Sequence, residues 1–164
     1  MKSLIIFMSY HGTTRDIATY MADKIPDSYL FDLRHNKPPH LDTFDNVIIG
    51  ASIHGGDIPS SISKYLKKKQ DDLLKKNLGL FLCFMDFEKG EQEFNEVFPY
   101  GLREHAMAKG LFGGEFRFEE MDFFEKLIVK NVAGEKRSVS KVNWKNVNEF
   151  IETFKELNKS AIFR

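Results

Sequence analysis

Cysteine is almost absent: Cys83 is the only one in 164 residues. No intrachain disulfide can form, and no metal site can be assembled from several thiolates. An excess of charge of one sign is lacking as well. Lys and Arg total 24 and so do Asp and Glu, leaving a formal net charge of zero and an isoelectric point of about 7.0. Nucleic-acid binders draw affinity from uncompensated phosphate contacts, so this balance argues against a nucleic-acid partner. Long hydrophobic runs are missing too. Nothing approaches the ~18 apolar residues of a spanning helix, and the first apolar run, Leu4 to Met8, is shorter than a signal-peptide core. There is no internal repeat, low-complexity tract or linker. What remains is core material: 42% of residues are hydrophobic, and 16 phenylalanines lift the aromatic share to 13%. The expectation is a single domain over residues 1–164, in a reducing, cytoplasmic compartment, with no metal site.

Apolar runs alternate with helical patterns. Leu4 to Met8 fits a strand covered on both faces, as in a parallel sheet. Ser9-Tyr10-His11-Gly12 breaks it. Thr13 then reads as a helix N-cap with Asp16 completing a capping box, and Ile17, Ala18, Met21 and Ile25 follow at helical spacing. Tyr29 to Leu33 and Val47 to Ser52 read as strands two and three. Pro59 suits a helix start, with Ile58, Ile62, Tyr65 and Leu66 as its apolar stripe. The lysines at 64, 67, 68 and 69 form its solvated face. Leu78 to Met85 is strand four, 90–109 a helical stretch broken by Pro99, and Leu111 to Phe118 strand five. Asn143 caps a last helix carrying Val147, Phe150, Ile151, Phe154 and Leu157 on one face. Five such strands imply a doubly wound α/β fold, a parallel sheet with helices on both faces. Ligands of such sheets bind beyond the carboxyl ends of the strands, at the topological switch point.

The strand ends are therefore where chemistry is expected. After strand one, Ser9, Tyr10, His11, Gly12, Thr13 and Thr14 surround a glycine with small hydroxyl-bearing residues at the start of a helix. Free amides, hydroxyls and the positive helix end would converge there on a phosphate; a plainly capped helix is the alternative. Only Gly12 is present of a Gly-x-Gly-x-x-Gly dinucleotide fingerprint, and the Gly-Lys-Thr of a P-loop is absent. Receiver-type acidic residues are missing, and Cys83 lies inside a strand, not in the first loop as a phosphatase nucleophile would. A phosphate cradle without phosphoryl-transfer apparatus describes a binder of a phosphorylated cofactor. Ser52, Ile53, His54, Gly55 and Gly56 after strand three, with Phe84, Met85 and Asp86 after strand four, could grip a flat ring. Ordinary loop and core roles are the alternative for each. Cys83 reads as a buried, inert thiol.

Ser9-Tyr10-His11-Gly12-Thr13-Thr14 resembles the FMN-phosphate loop of flavodoxins, Thr/Ser-x-Thr-Gly-x-Thr, with His11 in place of a hydroxyl. Gly12-Thr13-Thr14-Arg15-Asp16-Ile17-Ala18 is more closely similar to the Gly-x-Thr-Arg-Glu-Ile-Ala of the flavodoxin-like, menaquinone-dependent protoporphyrinogen dehydrogenases. Val47 to Ile53, the stretch Phe124 to Lys130 and Gly134-Glu135 through Trp144 are similar to that family as well. The resemblance implies strand order 2-1-3-4-5 and FMN as cofactor, its phosphate on residues 9–14 and its ring between 52–56 and 84–87. No second fingerprint is present for the adenylate of FAD. It also implies an oxidoreductase that moves hydrogens from a reduced donor, such as a porphyrinogen in haem biosynthesis, through FMN to a quinone. No side chain is assigned an acid or base role, since FMN can itself accept and release the hydrogens. Two alternatives stay open: an electron-carrier flavodoxin serving a redox partner protein, and a related scaffold that no longer binds flavin.

About two dozen residues, 119–142, separate strand five from the last helix, at the edge where the flavin would sit. Glu119, Glu120, Asp122 and Glu125 precede Lys126, Lys130, Lys136, Arg137 and Lys141, with Phe123, Phe124, Leu127, Ile128 and Val129 interleaved. Three readings fit: a structural helix on the sheet edge, a wall for a carboxylate-bearing substrate, or a peripheral contact with the inner face of the membrane. On either of the last two readings, the segment serves recognition and not flavin binding.

Overall fold

The computed structural model describes residues 1–35, 37–53, 58–132 and 137–162. Strands β1 (Ser3–Phe7), β2 (Ser28–Asp32), β3 (Asn46–Ser52), β4 (Asn77–Cys83) and β5 (Ala108–Leu111) form one sheet in the order β2-β1-β3-β4-β5. All four neighbouring pairs are parallel. Strand alternation divides the core into two layers. Leu4, Ile6, Val47, Ile49, Leu78, Leu80 and Leu82 face one side, where α2 (Ser60–Leu73), α3 (Gly90–Val97) and α4 (Tyr100–His105) cover them. Ile5, Phe7, Ile48, Phe81 and Cys83 face the other, against α1 (Thr13–Lys24) and α6 (Trp144–Ile162). Both faces being apolar is what makes the strand sequences read as unbroken hydrophobic runs.

Phenylalanine rings lie over glycines on the second face. Phe81 is paired across the sheet with Gly50 on one side and Gly110 on the other. A Cβ on Gly50 would stand 2.0 Å from the Phe81 ring, and one on Gly110 2.3 Å from that of Phe112. Phe81, Phe112, Phe150 and Phe154 then stack in sequence, with neighbouring centroids 5.2–6.2 Å apart.

Two expectations need correction. Strand five is Ala108–Leu111, not Leu111–Phe118. Lys109 and Gly110 mask the strand in sequence, whereas Phe112 is apolar because its ring is packed into the core. Beyond Gly114 the chain leaves the sheet: β6 (Glu115–Phe116) pairs antiparallel with β7 (Val139–Ser140), and α5 (Phe123–Val132) lies between them. The cap of α1 is Gly12, at φ 87°, and no side chain caps it. This left-handed glycine starts the helix one residue early, so Thr13 is already helical and Asp16 turns its carboxylate to Arg117 (2.9 Å). Asn143 does cap α6, its Oδ1 accepting the Asn146 amide at 3.1 Å.

Candidate functional site

The carboxyl ends of β1, β3, β4 and β5 open into one cavity of about 410 Å3, within the size range of small-molecule sites. Ser9, Tyr10, His11, Thr13 and Thr14 line it from the first loop and α1, Ser52 and Ile53 from β3, and Phe84, Met85 and Asp86 from beyond β4. Ten residues expected from widely separated segments thus share one wall. Gly12 is not on it: a Cβ there would meet the guanidinium groups of Arg117 and Arg15, each at 2.9 Å. Its role is to shape the turn. His54, Gly55 and Gly56 lie outside the described residues.

The first loop is arranged by its own hydroxyls. Ser9 is buried, and its Oγ accepts the Gly12 amide at 3.0 Å. Thr14 is 1% exposed, and its Oγ1 has no hydrogen-bond partner of proper geometry among the described residues. Only the Cys83 thiol, a weak partner, lies beside it. A buried hydroxyl without a partner costs about 1–3 kcal/mol, so a ligand oxygen that satisfied it would bind favourably. Cys83 itself is buried, and burial pushes its thiol up to about 12, which keeps it protonated and unreactive.

Sequence reasoning anticipated only part of the far wall. Lys89 and Glu93, Gly114 to Phe116, and Met121, Glu125 and Val129 also line the cavity. The pairing of β6 with β7 that folds this segment inward joins residues about 25 apart, too distant to leave a local pattern. The stretch 119–142, expected at the edge where the flavin would sit, helps to close the same cavity through Met121, Glu125 and Val129. It is tied to the first loop at two points. His11 lies 3.4 Å from Glu125 through Nε2 and 3.1 Å from the Glu120 carbonyl through Nδ1. Arg117 bridges Asp16 and Glu115, and Glu115 also accepts from Ser140 Oγ at 2.6 Å and Thr13 Oγ1 at 3.4 Å. Burial opposes the charge on Arg117, but the two carboxylates outweigh it and hold the guanidinium above its ordinary range. Arg117→Ala should cost about 1 kcal/mol of stability. It should also raise proteolytic cutting within 115–142, with cutting of the central sheet unchanged. Equal rates in wild type and variant would show that the bridge does not hold the segment.

Among the described residues, no three His, Cys, Asp or Glu side chains gather to hold a metal ion, and no helix is long and apolar enough to cross a membrane.

The sheet order, the cavity at the strand ends and the hydroxyl-rich first loop coincide with a family match: the flavodoxin domain model covers residues 4–143. The chain belongs to the flavodoxin domain family. This flavodoxin-domain chain is 25% identical over 167 aligned positions to Protoporphyrinogen IX dehydrogenase (quinone) of Escherichia coli strain K12, the match covering 92% of each chain. Two solved flavodoxins share its fold. Flavodoxin 2 of Bacillus cereus superposes with a TM-score of 0.60 at 19% identity, covering 95% of this chain and 99% of that one. The flavodoxin of Streptococcus pneumoniae TIGR4 gives 0.59 at 16% identity, covering 98% and 99%.

Proposed function

We propose that this flavodoxin-domain protein binds FMN in the strand-end cavity and is an oxidoreductase that carries electrons from a porphyrinogen-like donor to a quinone. The buried Thr14 hydroxyl, with no partner beyond the weak Cys83 thiol among the described residues, carries the cofactor assignment. It marks a place in the cavity where a charged oxygen would supply a stronger hydrogen bond. Residues 9–14 would hold the phosphate, helped by the start of α1. Ser52 and Ile53, with His54, Gly55 and Gly56 that follow them in sequence, would flank one side of the ring, and Phe84, Met85 and Asp86 the other. FMN, when bound, supplies two-electron and one-electron redox chemistry. The protein's own residues bind, orient and shield. Phe84 is buried and packs on the half-exposed Phe87, 5.3 Å away, presenting an apolar surface at the cavity mouth. Glu115, Phe116, Met121, Glu125 and Val129 wall the cavity on the side that Arg117 and His11 tie to the first loop and α1.

The likeness to a quinone-linked dehydrogenase over 92% of both chains supports a donor and a quinone acceptor of this protein's own. So does the wall built by α5, since a small donor would meet the cofactor beneath it. The test is sequential: anaerobic reduction of the bound flavin by a porphyrinogen, then reoxidation by menaquinone. Reduction by protein partners alone would favour the electron-carrier reading.

One observation supports peripheral contact with the inner face of the membrane, where quinones reside. Phe123 and Phe124 on α5 are 74% and 73% exposed, next to exposed Leu127 and flanked by Lys126 and Lys130. Apolar side chains backed by cations suit an anionic lipid surface. The triple change of Lys126, Lys130 and Lys141 to Ser should weaken sedimentation with anionic vesicles by roughly tenfold. Each lysine near the surface contributes about 1 kcal/mol before salt screening and incomplete contact reduce the sum. Vesicle binding that survives the change undiminished would sink the membrane contact; FMN affinity should stay as it was.

A further inference from the structure

We propose that Glu93 is the proton acceptor of the cavity, taking the proton that a donor releases when it is oxidised there and passing it to the quinone. The inference rests on the cofactor and donor reading above and adds to it a side chain with a chemical step of its own.

Glu93 is in the first turn of α3, and its side chain reaches the cavity wall that Asp86 and Lys89 also line. Its Oε2 is shut off from solvent and has no hydrogen-bond partner among the described residues. The neighbouring cation does not serve it: Lys89 Nζ is held by Asp86 at 3.2 Å. A buried carboxyl oxygen with no hydrogen-bond donor is favoured when a proton or a ligand reaches it.

The two carboxyls of this wall are pushed apart. The hydrogen bond from Lys89 holds Asp86 below its ordinary range, so it stays ionised. Burial raises Glu93, helped by the charges of Asp86 and Glu96, with Lys89 opposing. Such a pair, one fixed as an anion and one poised to take a proton, is how acid–base roles are divided in a site. The other charged or titratable groups on the cavity wall are Tyr10, His11, Cys83, Glu115 and Glu125. Of these, Cys83 is held protonated, Glu115 is satisfied by Arg117, Ser140 and Thr13, and His11 and Glu125 face each other. Glu93 differs from these carboxylates in having a buried oxygen with no hydrogen-bond partner among the described residues.

The step balances without another reagent. A porphyrinogen-like donor loses a hydride from a bridging carbon and a proton from a ring nitrogen, and two electrons leave with the hydride. A bound flavin would supply the hydride acceptor, and the Glu93 carboxylate would take the proton. In the second half-reaction the quinone takes the hydride on one oxygen and the proton from Glu93 on the other, which restores the carboxylate and yields the hydroquinone.

The experiment compares FMN-loaded wild type with Glu93→Gln and Glu93→Asp. Proton uptake on two-electron reduction of the bound flavin is followed with an indicator dye in weak buffer. Wild type and Glu93→Asp should take up more protons per flavin than Glu93→Gln, up to one more, since the new negative charge draws a proton onto the carboxylate. Glu93→Gln should lower kcat with the porphyrinogen about a hundredfold or more, at nearly unchanged KM, and Glu93→Asp should recover part of it. In the apo-protein, the infrared band of a protonated carboxyl should persist above the usual glutamate range of about pH 4.3 and vanish in Glu93→Gln. Equal proton uptake in wild type and Glu93→Gln, with FMN bound equally by both, overturns the role of Glu93 and leaves the cofactor reading intact. Failure of wild type to bind FMN overturns both.

Discussion

Phe81→Ala is expected to cost about 3–5 kcal/mol of folding free energy. The ring is fully buried at the centre of the sheet, packed on Phe112 and Phe150 with centroids 5.2 and 6.3 Å away. It also occupies the space above Gly50, where a side chain would otherwise stand. Removing it leaves a hole that Gly50 has no atoms to fill, so the transfer and cavity terms both count in full. Urea unfolding should show a much lower midpoint at an unchanged slope. A loss below about 1.5 kcal/mol would mean that the neighbouring rings close the gap. The converse change, Gly50→Ala, overpacks the same spot and should be partly relieved by Phe81→Leu.

Thr14→Val should weaken FMN binding by about 1.5–3 kcal/mol, which is roughly ten- to a hundredfold. The substitution keeps the shape of the side chain and removes a buried cavity hydroxyl whose only neighbour among the described polar groups is the weak Cys83 thiol. A hydrogen bond to a charged phosphate lies at the strong end of the range, and its loss is not made up by water in a buried site. The apo-protein should lose no stability, or gain some, because an unsatisfied polar group disappears. Riboflavin lacks the phosphate, so wild type and variant should bind it equally. Equal weakening of riboflavin would assign Thr14 to the fold and not to the phosphate.

These residues also show how far the sequence was legible. The first four strands could be read because each signal is local: an apolar run ending in a turn, with helical spacing in the stretches between. The hidden features depend on neighbours distant in sequence. Lys109-Gly110 looks unlike a strand until Phe112 is seen to fill the glycine's space. Gly12 looks like part of a phosphate cradle, but its left-handed turn faces Arg15 and Arg117. Arg117, Met121 and Glu125 reach the first loop and its cavity only because two-residue strands at 115–116 and 139–140 pair. Two residues are too few to leave an alternation pattern. Glu93 gave no sign at all: on a helix with Glu91 and Glu96 it reads as one more solvated charge, and only its buried oxygen sets it apart.

The most direct measurement is titration of the apo-protein with FMN, FAD and riboflavin, followed by flavin fluorescence, with mass analysis of any flavin released by heating the freshly purified protein. The expected result is one FMN per chain, bound more tightly than riboflavin by the contribution of the phosphate, and FMN as the released species. No saturable FMN binding, or release of FAD alone, would contradict the assignment of the strand-end cavity to FMN.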